Sequence, residues 1–119
     1  LTDEEVERML IESFEHAETD IEARLLIEAR NEVETVIHAT EKSLRRPDFD
    51  QLAAEALEPG ERQRIEQALS EAKHSLRGSD RDLVLKKTEA LNKATRPLAE
   101  VVMNRSVREA LAGKNVRDV

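Results

Sequence analysis

Glu34 and His38 stand one helical turn apart in the stretch ARNEVETVIHATEKSL, residues 29–44. A carboxylate and an imidazole at this spacing can ligate a metal ion, act as an acid–base pair or clasp a partner molecule. They can equally form a solvent-exposed pair that stabilises its own helix by about 0.2–0.5 kcal/mol. The residue types alone favour this last interpretation.

Other chemistry-bearing patterns are scarce. His16, His38 and His74 fall on three different predicted helices and share no spacing typical of metal ligands. The sequence has no glycine-rich phosphate loop and no G-x-S-x-G motif, and it contains no cysteine for a disulfide or a thiolate metal site. We therefore predict that the chain is not an enzyme and holds no metal and no cofactor.

The composition predicts an all-α protein. Charged residues make up 38% and aromatic residues 2%, with three glycines and three prolines in 119 residues. Residues 1–32 hold eleven acidic and three basic side chains, a net −8, whereas the rest of the chain carries +1. This balance argues against nucleic acid as a partner. No apolar run could span a membrane and no signal peptide is evident, so the sequence predicts a cytoplasmic location.

Helix signals divide the first half of the chain. Thr2 and Glu5 form a capping box, which starts a first helix of about residues 3–17. A second helix is predicted from Glu18–Asp20 to Arg46, where Pro47 ends it. Residues 47–58 then form a connector, with room for one short helical turn, anchored by three apolar residues: Phe49, Leu52 and Leu57.

The sequence of the second half of the chain predicts two further helices. Pro59 is expected at the first position of the third helix and Gly78 as its left-handed C-cap. Ser79 is expected to cap the fourth helix, Pro97 to kink or break it, and Gly113 to end it. Its apolar seam has steps of four and three: Val84, Thr88, Leu91, Thr95, Leu98 and Val102. The expected architecture is a helical arm of two N-terminal helices (1–32) running into an antiparallel three- to four-helix bundle (33–111), followed by a tail (112–119).

The arm carries apolar residues that one neighbour cannot cover. Leu25, Leu26 and Ile27 are consecutive and therefore point to different sides of their helix. The sequence predicts that the arm packs against another surface or self-associates, as a two-fold arm-to-arm dimer in the isolated chain. The residues assigned to this surface are Val6, Met9, Leu10, Phe14, Ile21, Leu25, Leu26 and Ile27.

Two segments, LTDEEVERM and HAETDIEARLLIEARNEVETVIHATEKSL, resemble the start of the helical lid of the seventy-kilodalton heat-shock chaperones. The third and fourth helices, joined at LRGSDRDLV, follow the same pattern, so the resemblance covers the whole chain. The terminal MNRSVREALAGKNVRDV is similar to the sub-family that serves bacterial iron–sulfur cluster assembly. The missing initiator Met indicates a part of a longer chain.

The resemblance implies a lid that closes over a peptide held by a β-sandwich of the same parent chain. Glu34 and His38 match the family's latch to the loops of that sandwich, which favours the partner interpretation of the pair. ATP would be bound by an upstream domain, through which a J-type co-chaperone would act. The implied clients include an iron–sulfur scaffold protein. The alternative that the residues leave open is a free-standing helical module that binds partners through its acidic arm.

Overall fold

Four helices make up the computed structural model, which describes the backbone of residues 1–117 and the side chains of residues 1–113. They are α1 (Asp3–Leu44), α2 (Phe49–Ala56), α3 (Glu61–Ser75) and α4 (Arg81–Arg117). The described part of the chain contains no β-strand. The all-α prediction, with an arm and a bundle, is confirmed.

Helix α1 begins where the sequence predicts. The Thr2 hydroxyl accepts the Glu5 N–H at 3.2 Å, and the Glu5 carboxylate accepts the Thr2 N–H at 3.3 Å. The predicted break near Glu18–Asp20 is wrong, because α1 continues without interruption for 42 residues. No glycine or proline lies in this span, and the Thr19 hydroxyl donates to the Glu15 carbonyl inside the helix at 2.9 Å.

The end of α1 lies two residues earlier than predicted. Leu44 is its last residue, and the N–H of Arg45 bonds to the carbonyls of Glu41 and Ser43 as the helix tightens. Pro47 disfavours helical backbone at the residue before it, so Arg46 lies outside the helix.

The main core lies between α1, α3 and α4. Apolar side chains of the three helices meet there and exclude water, which supplies most of the driving force for folding, and Val84 and Leu91 of the predicted seam are among them. Three buried hydroxyl residues, Thr40, Ser75 and Thr88, donate to carbonyls of their own helices at 2.7–2.8 Å. The buried apolar members are Ala29, Val33, Ile37, Ala68, Leu69, Ala72, Val84 and Leu91.

A second core forms around α2. Phe49 and Leu52 are buried against Leu98 of α4, and Leu57 packs at the edge of the cluster, so the three predicted anchors of the connector are confirmed. The guanidinium of Arg62 on α3 lies over the Phe49 ring, 4.9 Å from its centroid. The short α2 thereby ties the end of α1 to the middle of α4.

The turns around α3 differ from the prediction at both ends. Glu61 N–H bonds to the Glu58 carbonyl at 3.0 Å, which closes a turn with Pro59 second and Gly60, at φ 90°, third. Helix α3 therefore starts at Glu61 and not at Pro59. Gly78 does not adopt the left-handed conformation, because consecutive bonds of the tighter i+3 type already satisfy the carbonyls at the end of α3.

Helix α4 is longer than predicted. Asp80 and not Ser79 caps it, since the Asp80 carboxylate accepts the Leu83 N–H at 3.2 Å. The helix passes Pro97 without a break and continues beyond Gly113 to Arg117. Pro97 has no N–H, so one helical hydrogen bond, to the carbonyl of Lys93, is missing. Lys93 is exposed to solvent, so water can hydrate that carbonyl. Of the predicted tail 112–119, the side chains beyond Gly113 lie outside the described residues.

The helices α1 and α4 run parallel, and α3 runs antiparallel to both. Leu26 lies beside Arg81 and Asp82, while Thr35 and Ser43 line a groove with Asn92 and Ala99 further along both helices. The molecule measures 82 × 39 × 17 Å. Residues 1–24 are exposed at one end, and residues 106–113 are exposed at the other. The boundary between arm and bundle at residues 32 and 33 stays a prediction.

An ionic cluster joins the α1–α2 turn to α4. Asp48 accepts from Arg46 at 2.9 Å and from Arg105 at 3.4 Å, and Arg105 also pairs with Glu55 at 3.2 Å. The hydrogen bond from Arg46 is the main reason why the pKa of Asp48 lies below its ordinary value, and it raises the pKa of Arg46. The pairs are partly solvated, so their contribution to stability is modest.

The lowered pKa of Asp48 predicts a pH-dependent contribution to stability. Such a carboxylate stabilises the fold above the ordinary Asp pKa of about 3.9 and loses this effect as pH falls through its lowered pKa. We expect Asp48→Asn to lower the free energy of unfolding at pH 7, and the gap to the unmodified chain to close below pH ~3.9. Urea titrations across pH, with Asp50→Asn as an exposed control, measure this. A gap that persists at low pH would contradict the role of the charge.

Candidate functional site

The Glu34–His38 pair lies on the solvent face of α1. Val33 and Ile37 turn toward the core, and Glu34 and His38 are the residues that directly follow them, both exposed. Among the described residues, neither side chain forms a hydrogen bond or ion pair, with the other or with any third group. Both are therefore available to a partner that approaches this face of the bundle.

The bundle next to this pair is held rigid. Glu41, one turn further along α1, pairs with Lys73 of α3 at 3.1 Å. Val33 and Ile37 are 0% and 4% exposed, so the backbone under the pair cannot shift without opening the core. A rigid helix presents two polar side chains at a fixed spacing, which suits recognition better than a mobile loop would.

The arm presents most of its apolar side chains to solvent. One stripe on the arm follows helical spacing and consists of Val6, Leu10, Phe14, Ile21 and Leu25. We call these five residues the arm stripe. Phe14 is 71% exposed, and Leu25 is half-buried. Among the other residues assigned to this surface, Met9 and Ile27 are exposed on other sides of the helix, and Leu26 is half-buried against the start of α4.

Two features of the arm escaped the sequence analysis. Ile11 is 57% exposed beside the predicted residues, and the run Met9-Leu10-Ile11 was its signal. Arg30 donates from its guanidinium to the Gly78 carbonyl and so fixes the base of the arm to the α3–α4 turn. Arg30 directly follows the buried Ala29, so its side chain lies at the rim of the core.

The far end of α4 carries a second exposed apolar stripe. Met103, Val107 and Leu111 are spaced by four residues and lie more than half exposed. We call these three residues the tail stripe. They lie on the side of α4 turned away from Leu98, which faces α2. The chain thus has exposed apolar stripes at both of its ends.

The described residues offer little for catalysis. No group of three His, Cys, Asp or Glu side chains among them could hold a metal ion. His16, His38 and His74 are all exposed and lie on α1, α1 and α3, so the predicted assignment to three helices is wrong for the first two. Within the described residues no helix is long and apolar enough to cross a membrane.

The comparisons with known proteins agree with this picture. The Hsp70 protein family matches residues 1–104. The chaperone protein HscA homolog of Haemophilus influenzae strain PittEE is 39% identical over 119 residues, which is 100% of this chain and 18% of the relative. The HscA homologs of Delftia acidovorans and Aromatoleum aromaticum are 38% and 40% identical over the same shares. The chain thus spans about a fifth of the length of these relatives.

These matches confirm the resemblance to the seventy-kilodalton heat-shock chaperones drawn from the residue motifs, and the relatives quoted above are all named as HscA homologs. The family match covers all of α1, α2 and α3 and most of α4. Together with the helical arm and bundle, it settles the assignment: the chain belongs to the Hsp70 family of chaperones.

Proposed function

We propose that this chain is the helical lid of an Hsp70-type chaperone that closes over a peptide held in a β-sandwich of the same parent chain. The observation that carries the proposal is the match of the whole chain to about a fifth of HscA-type chaperones. The exposed arm supports it, because its apolar side chains lack cover in this chain. Fully burying one such side chain stabilises a contact by about 1.5–3 kcal/mol.

Glu34 and His38 are the proposed latch. Both are exposed on a rigid helix and neither is engaged by other described residues, so they can reach the loops of a sandwich beneath α1. The arm residues Val6, Met9, Leu10, Phe14, Ile21, Leu25, Leu26 and Ile27 form the proposed surface toward the sandwich. Closure would then combine apolar burial along the arm with two polar contacts on the bundle.

The proposed context is the maturation of iron–sulfur proteins in the cytoplasm. The relatives named HscA support it, and so does the terminal segment MNRSVREALAGKNVRDV, which resembles the sub-family of iron–sulfur cluster assembly. A scaffold protein would be the client, and a J-type co-chaperone would act on an ATPase domain upstream. The chain itself would not ligate the cluster, because it has no cysteine to bind iron, and ATP would be bound by that upstream domain.

The rate of peptide release tests this proposal. Deleting residues 1–119 from the parent chaperone should speed the release of a fluorescent apolar peptide, because the closed state is lost. The isolated chain should not bind the same peptide at micromolar concentration, since it lacks the groove. Equal release rates with and without the segment would overturn the lid role. Micromolar binding by the isolated chain would instead favour a free-standing interaction module.

A further inference from the structure

The two exposed stripes differ in charge. Glu18 lies four residues after Phe14 and three before Ile21, and Glu7 lies three before Leu10, so acidic side chains flank the arm stripe. Residues 1–32 as a whole carry a net −8. A contact between two arms would bring these charges together, which is unfavourable.

The tail stripe has surroundings that are basic on balance, although the exposed Glu100 lies three residues before Met103. Arg96 lies two turns before Met103 on the same face of α4, and Arg108 lies three residues before Leu111. Both arginines are exposed, and neither forms an ion pair within the described residues. Residues 93–113 hold four basic and two acidic side chains. The arm and the tail are therefore complementary in both apolar pattern and charge.

The shape of the molecule prevents the two stripes from meeting within one chain. The arm projects beyond the start of α4, whereas the tail projects beyond the end of α1, at opposite ends of a molecule 82 Å long. Each α-helix is a rigid rod, and α1 has no glycine or proline at which it could fold back. Within these 119 residues neither stripe can cover the other, so the neighbour of either stripe must lie outside this segment.

We propose that the arm stripe docks on the tail stripe of a second copy of this chain. Two copies that lie antiparallel bring the arm of each beside the tail of the other, which makes two identical contacts and closes the assembly as a two-fold dimer. The arrangement places antiparallel helices in contact and sets Glu7 and Glu18 of one copy near Arg96 and Arg108 of its partner. It does not depend on the lid role and concerns molecules whose arm is otherwise uncovered.

Charge exchange tests the pairing of arm with tail. Sedimentation equilibrium of the unmodified chain at high micromolar concentration should approach twice the monomer mass of 13.5 kDa. The arm variant Glu7→Lys/Glu18→Lys and the tail variant Arg96→Glu/Arg108→Glu should each sediment as monomers. An equimolar mixture of the two should recover the dimer, because every contact in a mixed pair again joins opposite charges.

The other outcomes discriminate clearly. The control Lys86→Glu/Glu89→Lys changes exposed charges outside both stripes and should leave the dimer unchanged. An arm variant that still dimerises beside an unaffected tail variant would replace the proposal with an arm-to-arm contact. Monomers alone for the unmodified chain, or a mixture that stays monomeric, would overturn it. Circular dichroism of each variant checks that the helices remain folded.

Discussion

Replacing Leu91 by Ala is expected to lower the free energy of unfolding by about 2–5 kcal/mol. Leu91 is 0% exposed and lies in the core where α1, α3 and α4 meet. Truncation removes its transfer free energy and leaves a cavity that three packed helices cannot close. A domain of this size is stable by only about 5–15 kcal/mol, so the variant should melt at a clearly lower temperature.

Urea unfolding followed by circular dichroism measures this loss. Leu83→Ala is the matched control on the same helix, because Leu83 is 38% exposed and its truncation leaves no internal cavity. The control should change stability by less than the core variant does. Equal losses for the two variants would show that the three-helix core is not packed as the structure has it.

The core was the most predictable part of the fold. Val33, Ile37, Leu91 and Leu98 could be assigned from helical spacing alone, because a narrow amphipathic helix has one face to bury. The capping box at Thr2 was equally local, since it needs only two side chains three residues apart. Such features depend on neighbours in sequence, and the sequence shows those directly.

The turns were less predictable, because several local solutions compete. Pro59 and Gly60 fit a helix start and a four-residue turn equally well, and the bond from Glu61 to Glu58 selects the turn. Gly78 fits a left-handed cap, but i+3 bonds close the end of α3 first. In α1, a break was predicted at Glu18–Asp20, although no residue there prevents helical backbone.

The sequence predicted which residues form the candidate surfaces, but it did not predict how those residues are arranged in space. The periodicity gave Leu10, Phe14 and Ile21 as apolar positions, but their exposure depends on α1 extending past the bundle as one rod. Arg30 could not be assigned because its partner, the Gly78 carbonyl, lies 48 residues away in sequence. The use of Glu34 and His38 depends on a surface outside this chain, so the latch stays a proposal.

Replacing both Glu34 and His38 by Ala should speed peptide release from the parent chaperone about tenfold. If each residue makes one contact that exists only in the closed state, two net contributions of about 0.7 kcal/mol each sum to ~1.4 kcal/mol, which is a factor of ten. The open state makes neither contact, so the change shifts the lid equilibrium toward opening.

The same double variant should leave the isolated chain almost unchanged. Both side chains are exposed and unengaged by other described residues, so an effect on its free energy of unfolding should stay within about 0.5 kcal/mol. This contrast separates a latch from a structural role, because a pair that supports its own helix would lower the stability of the isolated chain as well.

Stopped-flow release of a fluorescent peptide provides the measurement in the parent chaperone. The control His74→Ala/Glu89→Ala removes the same two ionisable side-chain types from exposed positions on α3 and α4 and should not alter release. Each single variant should give an intermediate rate, because the two contacts lie one helical turn apart and each holds the closed state separately. Release that is unaffected by the double variant would remove Glu34 and His38 from the closing mechanism and leave the apolar arm as the only proposed contact.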